Sequence, residues 1–145
     1  MIKRKIKNSD EMWNAFIDLI AMEDYDDLSE LQKIAHLCFW YDSEIANGGH
    51  LQYLLNRGIK LIPKTVKALK ILGANRQGEI LEEVESIVKK EGLKKIETVE
   101  KYCEEALEGR FDKYDTDYYE STPEITELLE KYLEKHSKEF VDIIE

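Results

Sequence analysis

The stretch that decides the fold is Leu28 to Arg57, LSELQKIAHLCFWYDSEIANGGHLQYLLNR. Leu31, Ile34, Ala35, Cys38, Tyr41 and Ile45 share one face at helical period, while Leu37, Phe39 and Trp40 lie on other faces. A helix apolar nearly all round belongs at the centre of a bundle. A core helix over 28–46 is therefore expected, with Asp27 and Glu30 as its start signal. Asn47-Gly48-Gly49 then interrupts the period. Glycine takes positive φ freely, so a sharp corner between two helices is expected here. A short helix over 50–57 follows, stopped by Gly58.

Helical period continues on both sides. Asn8 and Glu11 form a capping box ahead of a stripe of Met12, Trp13, Phe16, Ile17 and Ile20. Pro63 is expected as the first residue of a helix ending at Gly73. Its core face is Ile62, Val66, Leu69 and Leu72; most of the lysines fall opposite, and so does Ile71, which the pattern does not explain. A helix over 78–91 buries Ile80, Val84, Ile87 and Val88. Another over 95–108 buries Ile96, Val99, Cys103, Ala106 and Leu107. Residues 109–121 mix acids with aromatics and read as irregular. Thr122-Pro123 opens a last helix whose stripe is Ile125, Leu129, Tyr132, Leu133, His136, Phe140 and Ile143. No segment alternates at strand period. The expected architecture is all-α, one domain over 1–145, a bundle of about six or seven helices.

The 145 residues hold 31 acids and 21 bases, a formal charge of -10. No apolar run approaches the roughly 20 residues of a membrane span. Met1 to Lys7 is basic with no apolar segment behind it, which does not read as a secretory signal. Cys38 and Cys103 are too few and too distant for a disulfide scaffold, so a cytoplasmic chain with reduced thiols is expected. Residues 104–145 hold 14 acids and 5 bases and carry most of the imbalance. Lys60, Lys64, Lys67 and Lys70 run the other way. The net acidity argues against direct nucleic-acid binding, which needs clustered Lys and Arg.

Signatures of catalysis and metal binding are missing from the sequence. None of His36, His50 and His136 has a Glu three residues before it, so the paired carboxylate–histidine motif of di-iron bundles is absent. No zinc spacing, nucleophile elbow or phosphate loop occurs. Asp112, Asp115 and Asp117 faintly resemble a calcium loop, but Glu120 stands where glycine is needed and Thr126 where glutamate is needed. No catalytic residue, metal or cofactor is expected. Trp40 is expected to pack on another helix, and His136 to be a hydrogen-bonded core histidine.

One cluster stands out: Asp42, Glu44, Asn47, Gly48, Gly49, His50, Gln52 and Tyr53. Asp42 falls on the apolar stripe, where it needs a hydrogen-bonding partner. Helix-start amides, Asn47 and Gln52 are the donors at hand. Three readings stand: a brace in which these groups satisfy one another, a small-ligand pocket, or catalysis by His50 with a nearby carboxylate.

Glu44-Ile45-Ala46-Asn47-Gly48-Gly49-His50-Leu51-Gln52-Tyr53 resembles the Glu-Val-x-Asn-Gly-Gly-Phe-x-Gln-Tyr signature of the bacterial DNA-mimic protein family, otherwise catalogued as a domain of unknown function. Asn56-Arg57-Gly58, Ala68-Leu69 with Leu72-Gly73-Ala74, and Leu129, Tyr132-Leu133, His136 and Phe140 are similar to its later patterns. The resemblance covers about residues 25–141. His50 departs from it, replacing an aromatic Phe. The resemblance implies an all-helical fold whose carboxylates imitate DNA phosphates and occupy the DNA site of a basic DNA-binding protein. Carboxylates one helical turn apart lie roughly 5–6 Å from each other, comparable to the phosphate step. The acids expected to meet such a partner are Glu79, Glu82, Glu83, Asp112, Asp115, Asp117, Glu127, Glu130 and Glu134. The expected function is thus a non-enzymatic acidic binding protein, a DNA mimic that occupies the DNA site of a basic DNA-binding protein; the alternatives are a small-ligand-binding or regulatory module centred on the Asn-Gly-Gly corner and, behind it, a hydrolase using His50 and a nearby carboxylate. A homodimer is a further expectation; contact with membrane is not.

Overall fold

The structure, a computed structural model, describes residues 1–91, 101 and 109–144. Apart from residue 101, the helix expected over 95–108 lies outside the described residues. The elements are β1 (Arg4–Ile6), α1 (Met12–Met22), α2 (Glu30–Arg57), α3 (Ile62–Leu72), α4 (Asn75–Glu91), α5 (Asp112–Tyr119), α6 (Ile125–His136) and β2 (Val141–Ile143). The fold is an all-α bundle. Single 3-10 turns cover Ser9–Glu11, Tyr25–Asp27 and Ser137–Glu139.

α2 is the axis, and it contacts α1, α3, α5 and α6. Ala35, Cys38, Tyr41 and Ile45 of its stripe are fully buried, as a helix with apolar residues on several faces requires. Its cap is two residues later than expected. Ser29 accepts from the Gln32 amide, and the Gln32 side chain accepts from the Ser29 amide, while Asp27 ends the preceding turn. The predicted core face of α3 is buried throughout, from Ile62 to Leu72. α3 begins one residue before Pro63 and ends at Gly73. α4 begins at Asn75, three residues ahead of the expected start.

Two expectations are corrected. Residues 112–119 form helix α5 rather than an irregular stretch. Phe111, Tyr114 and Tyr118 recur at helical spacing, and Phe111 and Tyr118 are buried; the intervening acids mask that period. Strands also occur, although no segment alternates. β1 and β2 pair in parallel, with Arg4 opposite Val141 and Ile6 opposite Ile143. Three residues are too few to establish an alternating pattern, so tertiary pairing decides them. Gln32 locks this clasp: its side-chain amide donates to Ile2 O and Glu139 O, both at 2.7 Å.

Two single-residue readings also change. His136 is half-buried against the Tyr132 ring, with centroids 4.7 Å apart, rather than inside the core. Trp40 carries the Arg57 guanidinium over its ring at 3.9 Å in addition to its edge contact with Phe39.

Candidate functional site: the double-glycine corner and the acidic faces

The corner within α2 is made by two glycines with different duties. Gly48 has extended φ, and any side chain there would strike Gln52, whose Cβ would lie 2.8 Å from the added carbon. Gly49 has φ 73° and ψ −170°, a region that only glycine enters freely. A Cβ on Gly49 would also lie 2.9 Å from Asp115 Cγ. The corner thus lets the Asp115 carboxylate come down onto the first turn of the second half of α2.

His50 is fully buried there. Asp115 Oδ1 accepts from the His50 backbone N–H at 2.8 Å and from Nδ1–H at 2.7 Å. A carboxylate only accepts, so the proton is on Nδ1 and Nε2 is the acceptor. Tyr41 OH donates to Nε2 at 2.7 Å. Tyr41 is fully buried, and burial pushes its phenol well above the ordinary range. The chain Tyr41–His50–Asp115 is therefore complete at every polar atom of the imidazole.

Asp42 does not use the donors expected of it. Its partner is Tyr118 OH, from α5. Burial holds the Asp42 carboxyl above its usual range, partly opposed by that hydrogen bond and reinforced by the charge of Glu124. Burial and the Asp42 charge likewise raise the Tyr118 phenol. Glu44 is buried under a separate set: Asn56 Nδ2 donates at 2.6 Å, Gln52 Nε2 at 3.4 Å, and Arg57 Nε stands at 3.9 Å. Tyr53 is buried, with its phenol pushed up to about 12 by desolvation. Asn47 is exposed and takes no part in these networks.

The polar groups of the predicted cluster are thus met largely by residues outside it: Tyr118 for Asp42, Tyr41 and Asp115 for His50, and Asn56 for Glu44. His50 has no free nitrogen and no exposed edge. Among the described residues no cluster of three metal-binding side chains occurs, and no helix is long and apolar enough to cross a membrane.

The acids predicted to meet a partner are separated by the fold. Glu79, Glu82 and Glu83 are exposed on α4, and Glu127, Glu130 and Glu134 on α6. Asp112 is exposed at the start of α5. Asp117 is half-buried and faces Arg76, which also reaches Glu79. Asp115 is turned inward to His50, so its carboxylate is a structural acceptor rather than a surface charge. Glu82 pairs with Lys70, and Glu127 lies 3.8 Å from Lys131. Among the described residues Glu83, Glu130 and Glu134 have no cationic partner.

Two features escaped the sequence. Tyr41 and Tyr118 supply the key donors, although only a tyrosine's apolar period is legible before folding. A cavity of about 350 Å³ also opens beside Tyr53, lined by His36, Trp40, Asn56, Arg57 and Thr65. His36 is buried in its wall with Nδ1 donating to Ile20 O at 2.7 Å, and desolvation lowers its pKa.

A family model described as DMP19-like protein matches residues 26–136. The chain belongs to that family. The DMP19-like family is a family of DNA mimics. The match spans the whole corner, from α2 through α6, and includes Gly48, Gly49, His50 and Asp115. No curated protein and no solved structure matches the chain.

Proposed function

We propose that this member of the DMP19-like family is a non-enzymatic acidic protein that occupies the DNA site of a basic DNA-binding protein. One observation carries the reading. Exposed carboxylates recur at three- and four-residue spacing on two helices, Glu79–Glu82–Glu83 on α4 and Glu127–Glu130–Glu134 on α6, with Glu79, Glu82 and Glu127 also near Arg76, Lys70 and Lys131. From Asp112 to Glu134 the chain holds eight acids against two bases. Helical rise sets such carboxylates about 5–6 Å apart, near the phosphate step of one DNA strand.

The chemistry is electrostatic. A basic groove that normally neutralises phosphates meets carboxylates held on helices. Side chains fixed to a rigid frame lose less freedom on binding than a flexible acidic tail does. The same charges steer approach and set a steep salt dependence. The completed Tyr41–His50–Asp115 chain supports a bracing role for the corner, because it holds α5 and its acids against α2.

Capture on immobilised basic DNA-binding proteins tests the proposal. Binding is expected at about 0.1 M salt, with displacement by duplex DNA and release towards 1 M, where the screening length falls from about 10 Å to about 3 Å. Binding that DNA leaves intact, or that persists at high salt, refutes the reading.

A further inference from the structure

The cavity of about 350 Å³ beside Tyr53 sits where the end of α1, α2 and the start of α3 meet. None of its walls comes from the Tyr41–His50–Asp115 chain or from the acids of α4 and α6. Its volume reaches the range of small-molecule sites, about 300–1,000 Å³. Ala21, Leu37 and Leu61 supply apolar wall; His36, Trp40 and Arg57 supply the chemistry.

His36 is 8% exposed. Ile20 O can only accept, so the ring proton is on Nδ1. Desolvation and the charge of Arg57 lower the pKa, so the imidazole is neutral at pH 7. Nε2 is then a lone-pair acceptor. It has no hydrogen-bond partner, yet it is not sealed from water as Gln77 Oε1 is. In a residue that lines the cavity and is otherwise buried, this nitrogen is the open end.

Arg57 brings the complementary groups. Its guanidinium is held over the Trp40 ring at 3.9 Å, and its charge is felt at His36. Glu44 stands 3.9 Å from Nε, too far for a hydrogen bond, and the terminal nitrogens have no partner among the described residues. A fork of donors and a neutral acceptor therefore belong to one cavity. The surrounding charge does not favour an anion. Glu23 is held by Arg4 at 2.9 Å, Asp24 is an exposed lining residue, and the Glu44 charge offsets that of Arg57.

We propose that this cavity binds a neutral planar heterocycle with a ring N–H beside a carbonyl oxygen, the lactam or imide edge of a nucleobase. The ring N–H donates to His36 Nε2, and the carbonyl oxygen accepts from Arg57. A carboxylate would set an acceptor against the His36 lone pair, and a purely apolar ring would leave both polar groups without partners. The inference goes beyond the DNA-site reading and does not rest on it.

The test titrates uracil and hypoxanthine into the isotope-labelled full chain and follows them by NMR to about 10 mM and about 5 mM, the range of a weak small-molecule site. Both carry a ring N–H next to a carbonyl oxygen. Saturating shifts are expected at His36 Nε2, which moves upfield as it accepts a hydrogen bond, and at the Trp40 indole N–H. 1,3-Dimethyluracil keeps the ring and both carbonyls, has no N–H, and is expected to give none. Arg57→Met keeps the stem at an exposed position and removes the donors. His36→Asn keeps a donor for Ile20 O and removes the Nε2 acceptor. Each should weaken binding about tenfold, and Ala21→Leu, which narrows the cavity without changing its charge, should do the same. Failure of both heterocycles to saturate overturns the inference. So do equal shifts with 1,3-dimethyluracil, saturation by benzoate in place of the heterocycles, or binding that all three variants leave unchanged.

Discussion

Gly49 and His50 show how one residue can fix a joint. With φ 73° and ψ −170°, Gly49 sits where a side chain is strained whatever space surrounds it, and Asp115 also blocks the space. Gly49→Ala is expected to lower stability by about 1–3 kcal/mol, read as a drop in the urea midpoint. Tyr41→Phe leaves the buried His50 Nε2 without its donor and should cost about 1–3 kcal/mol in the same measurement. His36 gives a prediction in pH. Its folded-state pKa lies below 6.5 because burial penalises the imidazolium. The unfolded chain therefore binds the proton first as pH falls. The contribution to stability is complete above the ordinary histidine range. It is lost as pH falls from there to the lowered folded value, and constant below it. His36→Gln should flatten that slope in unfolding curves collected between pH 7 and 5. The double glycine was legible as a corner, because two adjacent glycines interrupt a helical period. Its real partner, Asp115, was not, since 65 residues separate it from His50.

At the scale of elements, legibility followed length. The 28 residues of α2 and the apolar face of α3 could be read from their periodicity because many burial positions repeat it. α5 has eight residues and only one buried position, so its acids dominated the pattern. Yet α5 supplies both donors and acceptors to α2: Tyr118 to Asp42, and Asp115 to His50. Tyr118→Phe keeps the ring and removes the hydroxyl that Asp42 needs. It should cost about 1–3 kcal/mol at neutral pH. The loss should shrink in acid, where Asp42, already raised by burial, takes up a proton; denaturant midpoints at pH 7 and pH 4 measure the difference. The N-terminus of α2 is a simpler case. Ser29→Ala removes one half of its capping box and should cost about 1 kcal/mol in thermal or urea unfolding.

Across the whole molecule, two long-range arrangements matter. The clasp of β1 with β2 brings the two ends of the described chain together, and the Gln32 amide bridges them. The fully buried Phe16 and Phe140 rings meet edge to face behind it, with centroids 4.7 Å apart. The charge arrangement is the other. Neutralising Glu127, Glu130 and Glu134 together to Gln removes three exposed charges without touching the core. Thermal stability should hold or rise slightly, because like charges are relieved, while the salt dependence of capture on a basic protein becomes shallower. Unchanged salt dependence would place the contact surface elsewhere.

The sequence alone determined the helical class, the central place of α2, the double-glycine corner and the excess of acid toward the C-terminal third. These follow from local rules: repeating burial, glycine's backbone freedom and counted charge. Tertiary structure alone decided which acids face inward, that Tyr118 rather than Asn47 or Gln52 satisfies Asp42, that Gln77 keeps an unpaired oxygen, and that two three-residue strands close the ends. Each of those depends on groups far apart in the chain meeting in three dimensions, and no local period records which distant donor reaches which acceptor.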